Sequence, residues 1–493
     1  MTDAGPGAGP GITGPRVTGP RITGIDGGAG GTRVVVEDVV RLAGLCRAAG
    51  SEVHDGAVAL SLARAALLVE GTAALSPVTA AHAGMLLQRA TFGPDSPVVV
   101  AGGAGTLGLG LTAAAHAYDA VEVANTALWE AAGVAAVVGD VATAAACPQR
   151  VMTDAGQAYL GEVVEAGRPL GAEEAGSRWA SDHALDLEQR VEGVAVLGSV
   201  LPLAASVGGR AVVGEHAEVA PVAVVAHELA PLWQDGDPEV AAVGPPVATT
   251  APRSTQDLVR GLAETNREPD GTVAVRTITS GAGGRERHAV VVDVPGTDAW
   301  SLPGEQTDQV RDLSGNVTAS AGEASAYARG VEEAVVTSGV PRDVPITLVG
   351  HSQGGMAATM AAERLQRRGY RVTHVVAVAA PIANLRQPAG VTTLALDGDR
   401  DLVTKADGRP NGDQAHRVTV RFDSGRSGVE VNHDLETYAA AAALVDDQGD
   451  REASLAPVLS SLRRDGAIVA AGEPSRAEVV HVRVSRARPR PGP

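Results

Sequence analysis

A chain of 493 residues is too long for one ordinary hydrophobic core, which implies two or more domains, and its 44% hydrophobic and 20% charged residues exclude wholesale disorder. Aromatic residues make up only 2%, too few for a base- or sugar-stacking platform, and a net charge of −18 argues against nucleic acid or an anionic membrane as a partner. Cys46 and Cys147 have no partners at metal-ligand spacing and are too few for a disulfide framework, so they read as small buried apolar side chains, while Lys405 is the single lysine, a mark of coding bias.

Residues 1–32 are rich in Gly and Pro and carry a short repeat, Gly14-Pro15-Arg16-Val17-Thr18 followed by Gly19-Pro20-Arg21-Ile22-Thr23; a disordered tail is expected there. No basic segment leading into an apolar stretch marks an ordinary signal peptide. From Val34 the pattern turns helical, since Val35, Val39, Leu42 and Cys46 recur three and four apart, and further helices are expected over 58–70 and 79–90. The stripe Leu111, Ala114, Tyr118, Val121, Asn125 and Leu128 predicts a helix over about 107–131 that packs in an antiparallel hairpin or bundle. The longest uncharged run, Gly193 to Gly209, contains Pro202 and falls short of the roughly 20 apolar residues of a membrane span, so it reads as a buried, interrupted helix pair. Residues 33–245 are thus expected to form an Ala-rich, all-α domain, with Asp235 to Thr255 as a Pro/Gly linker.

Beyond the linker the period becomes strand-like. Val273 to Thr279 alternates and His288 to Val294 is almost continuously apolar, as in a strand buried on both faces. Residues 246–486 are therefore expected to be an α/β domain, followed by a disordered basic tail at 487–493. Within it stands Gly350-His351-Ser352-Gln353-Gly354. The bare Gly-x-Ser-x-Gly pattern would arise by chance about 0.35 times in a chain this rich in Gly and Ser, so its context has to carry the argument. Val344 to Val349 reads as a strand and Gln353 to Arg368 as a helix, which places Ser352 on a sharp strand-to-helix turn.

A serine hydroxyl needs a base, and the base needs an orienting carboxylate. Downstream, a strand over Thr393 to Leu396 is followed by Asp399 and Asp401; Asp401 is the first choice of acid because the strand must end and turn before a carboxylate can point back, and Asp399 is the second. His433 precedes a helix containing Tyr438 and is the expected base, on a loop. His374 and His416 open strands, and His351 lies inside the turn, where it is expected to line the substrate pocket together with Gly296. The two backbone donors of an oxyanion hole are expected at Gln353 and, after the strand ending at Val294, at Thr297. No metal or cofactor is called for.

The set Pro295-Gly296-Thr297, Gly350 to Gly355, Asp401-Leu402-Val403 with Asp407-Gly408 and Asn411, and Asn432-His433 resembles actinobacterial α/β-hydrolases related to lipases and esterases, over roughly the last 220 residues. The resemblance implies the α/β-hydrolase fold and a Ser352, Asp401, His433 triad; Thr404 stands where family members commonly carry Pro. Tyr118 to Glu122, a Tyr-x-x-x-Glu element on an Ala-rich helix, resembles the helical regions of type VII secretion substrates. The expected function is hydrolysis of a small-molecule carboxylic ester through an acyl-enzyme. The alternative is a helical interaction or secretion protein whose hydrolase-like module is a thioesterase, an acyltransferase or inactive. No long apolar insertion separates Ser352 from His433, which favours short acyl groups. A helical protein partner is possible through residues 33–245, and the location is cytoplasmic by default, with non-Sec export open.

Overall fold

The apolar strands expected between residues 273 and 422 form the centre of one mixed sheet. The computed structural model describes residues 19–28, 36–69, 77–92, 96–113, 116, 148–166, 168–205, 213–233, 235–281, 286–305, 307–412 and 414–487. Cys147, the first copy of the repeat and the Tyr118 to Glu122 element lie outside them. By compactness the chain separates into residues 32–129 and a larger unit of residues 1–31 with 130–493.

The smaller unit is helical. A single helix, α1 (Val36–Val69), replaces the two helices expected over its length; α2 is Pro77–Phe92, and residues 97–113 are helical as well. Gly108 lets the last of these approach α1 closely, since a Cβ there would lie 2.9 Å from the carbonyl of Ala43. Cys46, expected to be buried, is half-buried and free.

In the larger unit the strands are β1 (Arg21–Gly27), β2 (Pro238–Ala242), β3 (Val247–Thr249), β4 (Thr272–Ser280), β5 (Arg287–Val294), β6 (Ile346–His351), β7 (Val372–Val378), β8 (Thr392–Gly398), β9 (Arg417–Asp423) and β10 (Ser475–Arg486). They lie in the order β1-β9-β8-β7-β6-β5-β4-β10-β2, with β3 also on β10. From β5 to β9 neighbours are parallel, and the flanking pairs are antiparallel. Parallel neighbours require crossovers; helices supply the first two, α8 (Leu313–Ser320) and α9 (Ala326–Thr337) between β5 and β6 and α10 (Gln353–Arg367) between β6 and β7, whereas the described residues of the β7–β8 and β8–β9 connections form turns and loops. Before β4 come α3 (Pro148–Ala166), α4 (Ala172–Asp182), α5 (Ala184–Ala205), α6 (Pro221–Leu229) and α7 (Thr255–Thr265); after β9 come α11 (Val429–His433), α12 (Leu435–Gln448) and α13 (Leu455–Arg464).

Successive strand residues point to opposite faces, so each strand feeds two cores. Val292 and Leu348 pack with α9 and α10, whereas Val291 and Val349 pack with α7, α12 and α13. Burial on both faces explains the unbroken apolar runs, each such side chain contributing roughly 1.5–3 kcal/mol. The helix α7 starts where Ser254 caps it, accepting from the Asp257 N–H at 3.0 Å.

Several expectations change. Arg21–Gly27, placed in a disordered tail, is an edge strand: its backbone pairs with β9, and Ile22 and Ile25 pack against the core beneath. The supposed linker supplies β2 and β3, because β10 offers them a free edge and the prolines fall at the start of β2 and between the two strands. Residues 130–245 belong to the unit that contains the sheet, so the boundary expected at 245 is not where the units part. Over Gly193 to Gly209 the described residues continue one helix, α5, rather than an interrupted pair. Among the described residues, no helix is long and apolar enough to cross a membrane.

Candidate active site

The expected site residues all lie at or beyond the C-terminal ends of parallel strands β5, β6, β8 and β9, the rim where open α/β sheets bind ligands. Ser352 joins β6 to α10 with φ 54° and ψ −126°, a strained backbone for a residue with a side chain. Tight packing holds it there. A Cβ on Gly350 would run into the carbonyl of Gly354, and one on Gly354 into the carbonyls of Val294 and Pro295. Ser352 N–H donates to Val378 O at 2.9 Å, and Gly355 N–H to Ser352 O at 2.9 Å. Although Ser352 occupies the cap position of α10, its hydroxyl makes no capping bond. It is therefore left for other work at the positive end of the helix dipole.

Asp401 and His433 come together. The Nδ1 of His433 lies 2.9 and 3.2 Å from the two carboxylate oxygens of Asp401. Asp401 is completely buried and also accepts from the Tyr438 hydroxyl at 2.7 Å and the Val403 N–H at 2.9 Å. Thr404 closes this turn by donating to Asp401 O at 3.0 Å. Asp399 points elsewhere, its carboxylate accepting from Thr23 of β1 at 2.6 Å. His433 ends the one-turn helix α11 rather than lying on a loop.

His351 packs against His433 with ring centroids 4.5 Å apart and the ring planes tilted by 35°, and its Nε2 lies 3.0 Å from the backbone carbonyl of His433. Burial, and next the charge of His433, hold the His351 imidazole well below its usual range, so the ring is neutral and Nε2–H is the donor. With 8% of the residue exposed, little of it remains to line a pocket. The structure uses it to fix the backbone of His433. Between Ser352 Oγ and His433 no hydrogen bond forms among the described residues.

Gly296 lies directly against the elbow: a Cβ there would sit 2.8 Å from His351 Nδ1 and 3.0 Å from Ser352 Cβ. The backbone N–H groups of Thr297 and Gln353 donate to no acceptor among the described residues. Their side chains are held instead. Asn316 Nδ2 donates to Thr297 Oγ1 at 3.0 Å, the Thr297 hydroxyl reaches Gln353 Oε1 at 3.4 Å, and Gln353 Nε2 donates to Asp312 O at 3.0 Å.

Sequence reasoning did not anticipate Tyr438, Asn316, Arg311 or the role of α4. From α4, Ser177 and Ser181 accept the N–H groups of Val429 and Gly428 at 2.9 and 2.7 Å, and Asp182 accepts from Ser427 at 2.9 Å. The turn entering α11, and so His433, is tied to a helix some 250 residues earlier. Only the one-turn spacing of Ser177 and Ser181 hinted at this. Carboxylate oxygens of Glu162, Glu165 and Asp182 lie within 4.8 Å of one another, but Asp182 already pairs with Arg400 and Glu162 with Arg178, which supply the positive charge a metal would bring.

A family model described as Thioesterase domain matches residues 334–415, which include Ser352 and Asp401. No curated protein matches the chain. Similar solved structures include an esterase from Pyrobaculum calidifontis, 14% identical over 46% of this chain and 89% of that one, with a TM-score of 0.21. Another is a ligand-bound form of the rice cell wall degrading esterase LipA from Xanthomonas oryzae, 11% identical over 29% of this chain and 51% of that one, with a TM-score of 0.12. The mixed sheet with helices on both faces, matched across its β6 turn by a thioesterase-domain model, fits an α/β-hydrolase fold.

Proposed function

We propose that the larger unit is a serine hydrolase that cleaves a small carboxylic ester through an acyl-enzyme. The observation that carries the reading is Ser352 in a strained strand-to-helix turn, with the imidazole of His433 packed against the adjoining His351 and its Nδ1 held by the buried carboxylate of Asp401. In this reading His433 Nε2 takes the proton of Ser352 Oγ as Oγ attacks the acyl carbonyl. The oxyanion is held by the N–H groups of Thr297 and Gln353, and the alcohol leaves with the proton from the imidazolium. Water, deprotonated by His433, then attacks the acyl-enzyme and releases the acid and Ser352. The contact between Oγ and imidazole closes when substrate binds, as such contacts often do. In the sequence no long apolar insertion separates Ser352 from His433, which supports short acyl groups.

A thioester substrate is the second reading, favoured by the Thioesterase-domain match over residues 334–415. The attacking machinery would be the same and only the leaving group would differ. A fluorophosphonate probe tests the common step: it is expected to label the wild type and not Ser352→Ala. Hydrolysis of p-nitrophenyl acetate by His433→Ala should fall by about 10³-fold or more with the fold retained. Unlabelled wild type, or labelled Ser352→Ala, would sink the reading. Rates on matched acyl oxoesters and acyl thioesters then decide the leaving group.

A further inference from the structure

We infer that Arg311 is a positioning residue for the oxyanion hole, setting and polarising the peptide that carries the Thr297 N–H; this rests on the serine hydrolase reading. Arg311 is fully buried, and its Nε–H donates to the carbonyl of Gly296 at 2.5 Å. That carbonyl belongs to the same peptide unit as the Thr297 N–H. In a planar trans peptide the C=O and N–H point in opposite directions. Holding the oxygen on the Arg311 side therefore turns the N–H to the other side, where no protein acceptor among the described residues meets it. Gly296 itself abuts Ser352.

The rest of the Arg311 contacts act on the same loop. Its backbone carbonyl accepts the N–H groups of Asp298 and Ala299 at 2.8 and 3.1 Å, while its Nη2 donates to Asp298 at 2.7 Å and to Asn266 at 2.8 Å. Residues 296–299 are thus tied to one arginine, by its guanidinium and by its backbone carbonyl together. A cation at a peptide oxygen also draws electron density from the amide, which makes its N–H a stronger donor. The neighbours of Arg311 extend the arrangement: the Asp312 carbonyl takes the Gln353 side chain, and Asn316 holds Thr297 Oγ1. Both oxyanion donors are therefore fixed from one segment, residues 310–316, which is anchored by the buried pair of Asp312 with Arg486 at 2.8 Å.

A buried arginine that only filled space would gain little over an apolar side chain of similar volume, since desolvating its charge offsets what its ion pair returns. The two roles separate in the kinetics. In the full chain, with active enzyme counted by complete fluorophosphonate labelling of Ser352, Arg311→Met is expected to lower kcat on a p-nitrophenyl ester about 30- to 100-fold with KM within about threefold, by comparison with the loss of one oxyanion donor. Arg311→Lys, which keeps the charge, should recover part of that loss. Affinity for a trifluoromethyl ketone, whose adduct carries the oxyanion, should fall in parallel with kcat/KM. Asn316→Ala, a milder change at a half-buried position of α8, should fold whatever the arginine variants do and cost about three- to tenfold in kcat. Wild-type kcat in any folded Arg311 variant overturns the assignment, as does wild-type kcat in Asn316→Ala if no arginine variant folds. A wild type that never labels sinks the hydrolase reading instead, and this inference with it.

Discussion

Asp401 is a carboxylate with no solvent contact, and three groups make that tenable: the His433 imidazole, the Val403 N–H and the Tyr438 hydroxyl. Tyr438 is itself fully buried, with its ring edge against Phe422 at 5.0 Å, and its oxygen accepts the Gly398 N–H at 3.0 Å. Burial, and next the Asp401 charge, push its phenol well above the usual range, so it serves as a fixed neutral donor. Removing only that hydroxyl in Tyr438→Phe leaves Asp401 one donor short and strands the Gly398 N–H. We expect a stability loss of about 1–3 kcal/mol in denaturant melts and a kcat loss of about three- to tenfold with KM unchanged. Asp401→Asn, which also disturbs the imidazole tautomer, should cost far more, about 10³- to 10⁴-fold. Equal effects of the two substitutions would mean that Tyr438 does more than support the acid.

Among the elements, α5 reaches the same acid turn from its far side and brings a charge that the fold does not easily accommodate. Lys405 is buried and pairs with Asp397 at 2.8 Å, and Glu188 of α5 lies beside them, buried. Burial, opposed by Lys405, raises the Glu188 carboxyl from 4.5 to about 8, and burial likewise raises Asp407 to about 7. The folded chain therefore keeps a proton on Glu188 that the unfolded chain releases above 4.5. Its contribution to stability is complete below that pH and is lost as pH rises toward 8. Glu188→Gln mimics the protonated form. Its melting temperature should match the wild type near pH 5 and exceed it by a few degrees at pH 8.5; a constant difference across that range would refute the assignment. How far such elements could be read from sequence depends on where their structure comes from. The elbow was legible because a continuous apolar strand, two glycines and an amphipathic helix are local signals, and chain order then led to Asp401 and His433. By contrast, β1 contains two glycines and a register shift and is a strand only because β9 pairs with it. Arg311 gave no local sign and Ser181 only its one-turn spacing from Ser177, since each acts on a loop brought to it by folding.

For the whole molecule, the division of the chain decides which truncations are meaningful. Residues 32–129 form a unit that interrupts the larger one in sequence, because β1 precedes it and belongs to the sheet. A cut after residue 250, which the linker-like composition invites, would remove β1, β2 and β3 together with α4, which holds the turn before His433. It would expose the edges of β9 and β10 and invite edge-to-edge association. Replacing residues 32–129 by a long Gly/Ser linker leaves every strand in place, and loop length alone costs little. We expect the linker variant to label at Ser352 and to keep kcat within about threefold, and the chain starting at residue 251 to aggregate or melt well below it by light scattering and calorimetry. A stable, active fragment from residue 251 would show that β1 to β3 and α4 are appendages; loss of labelling in the linker variant would show that the helical unit is needed for the hydrolase fold to form.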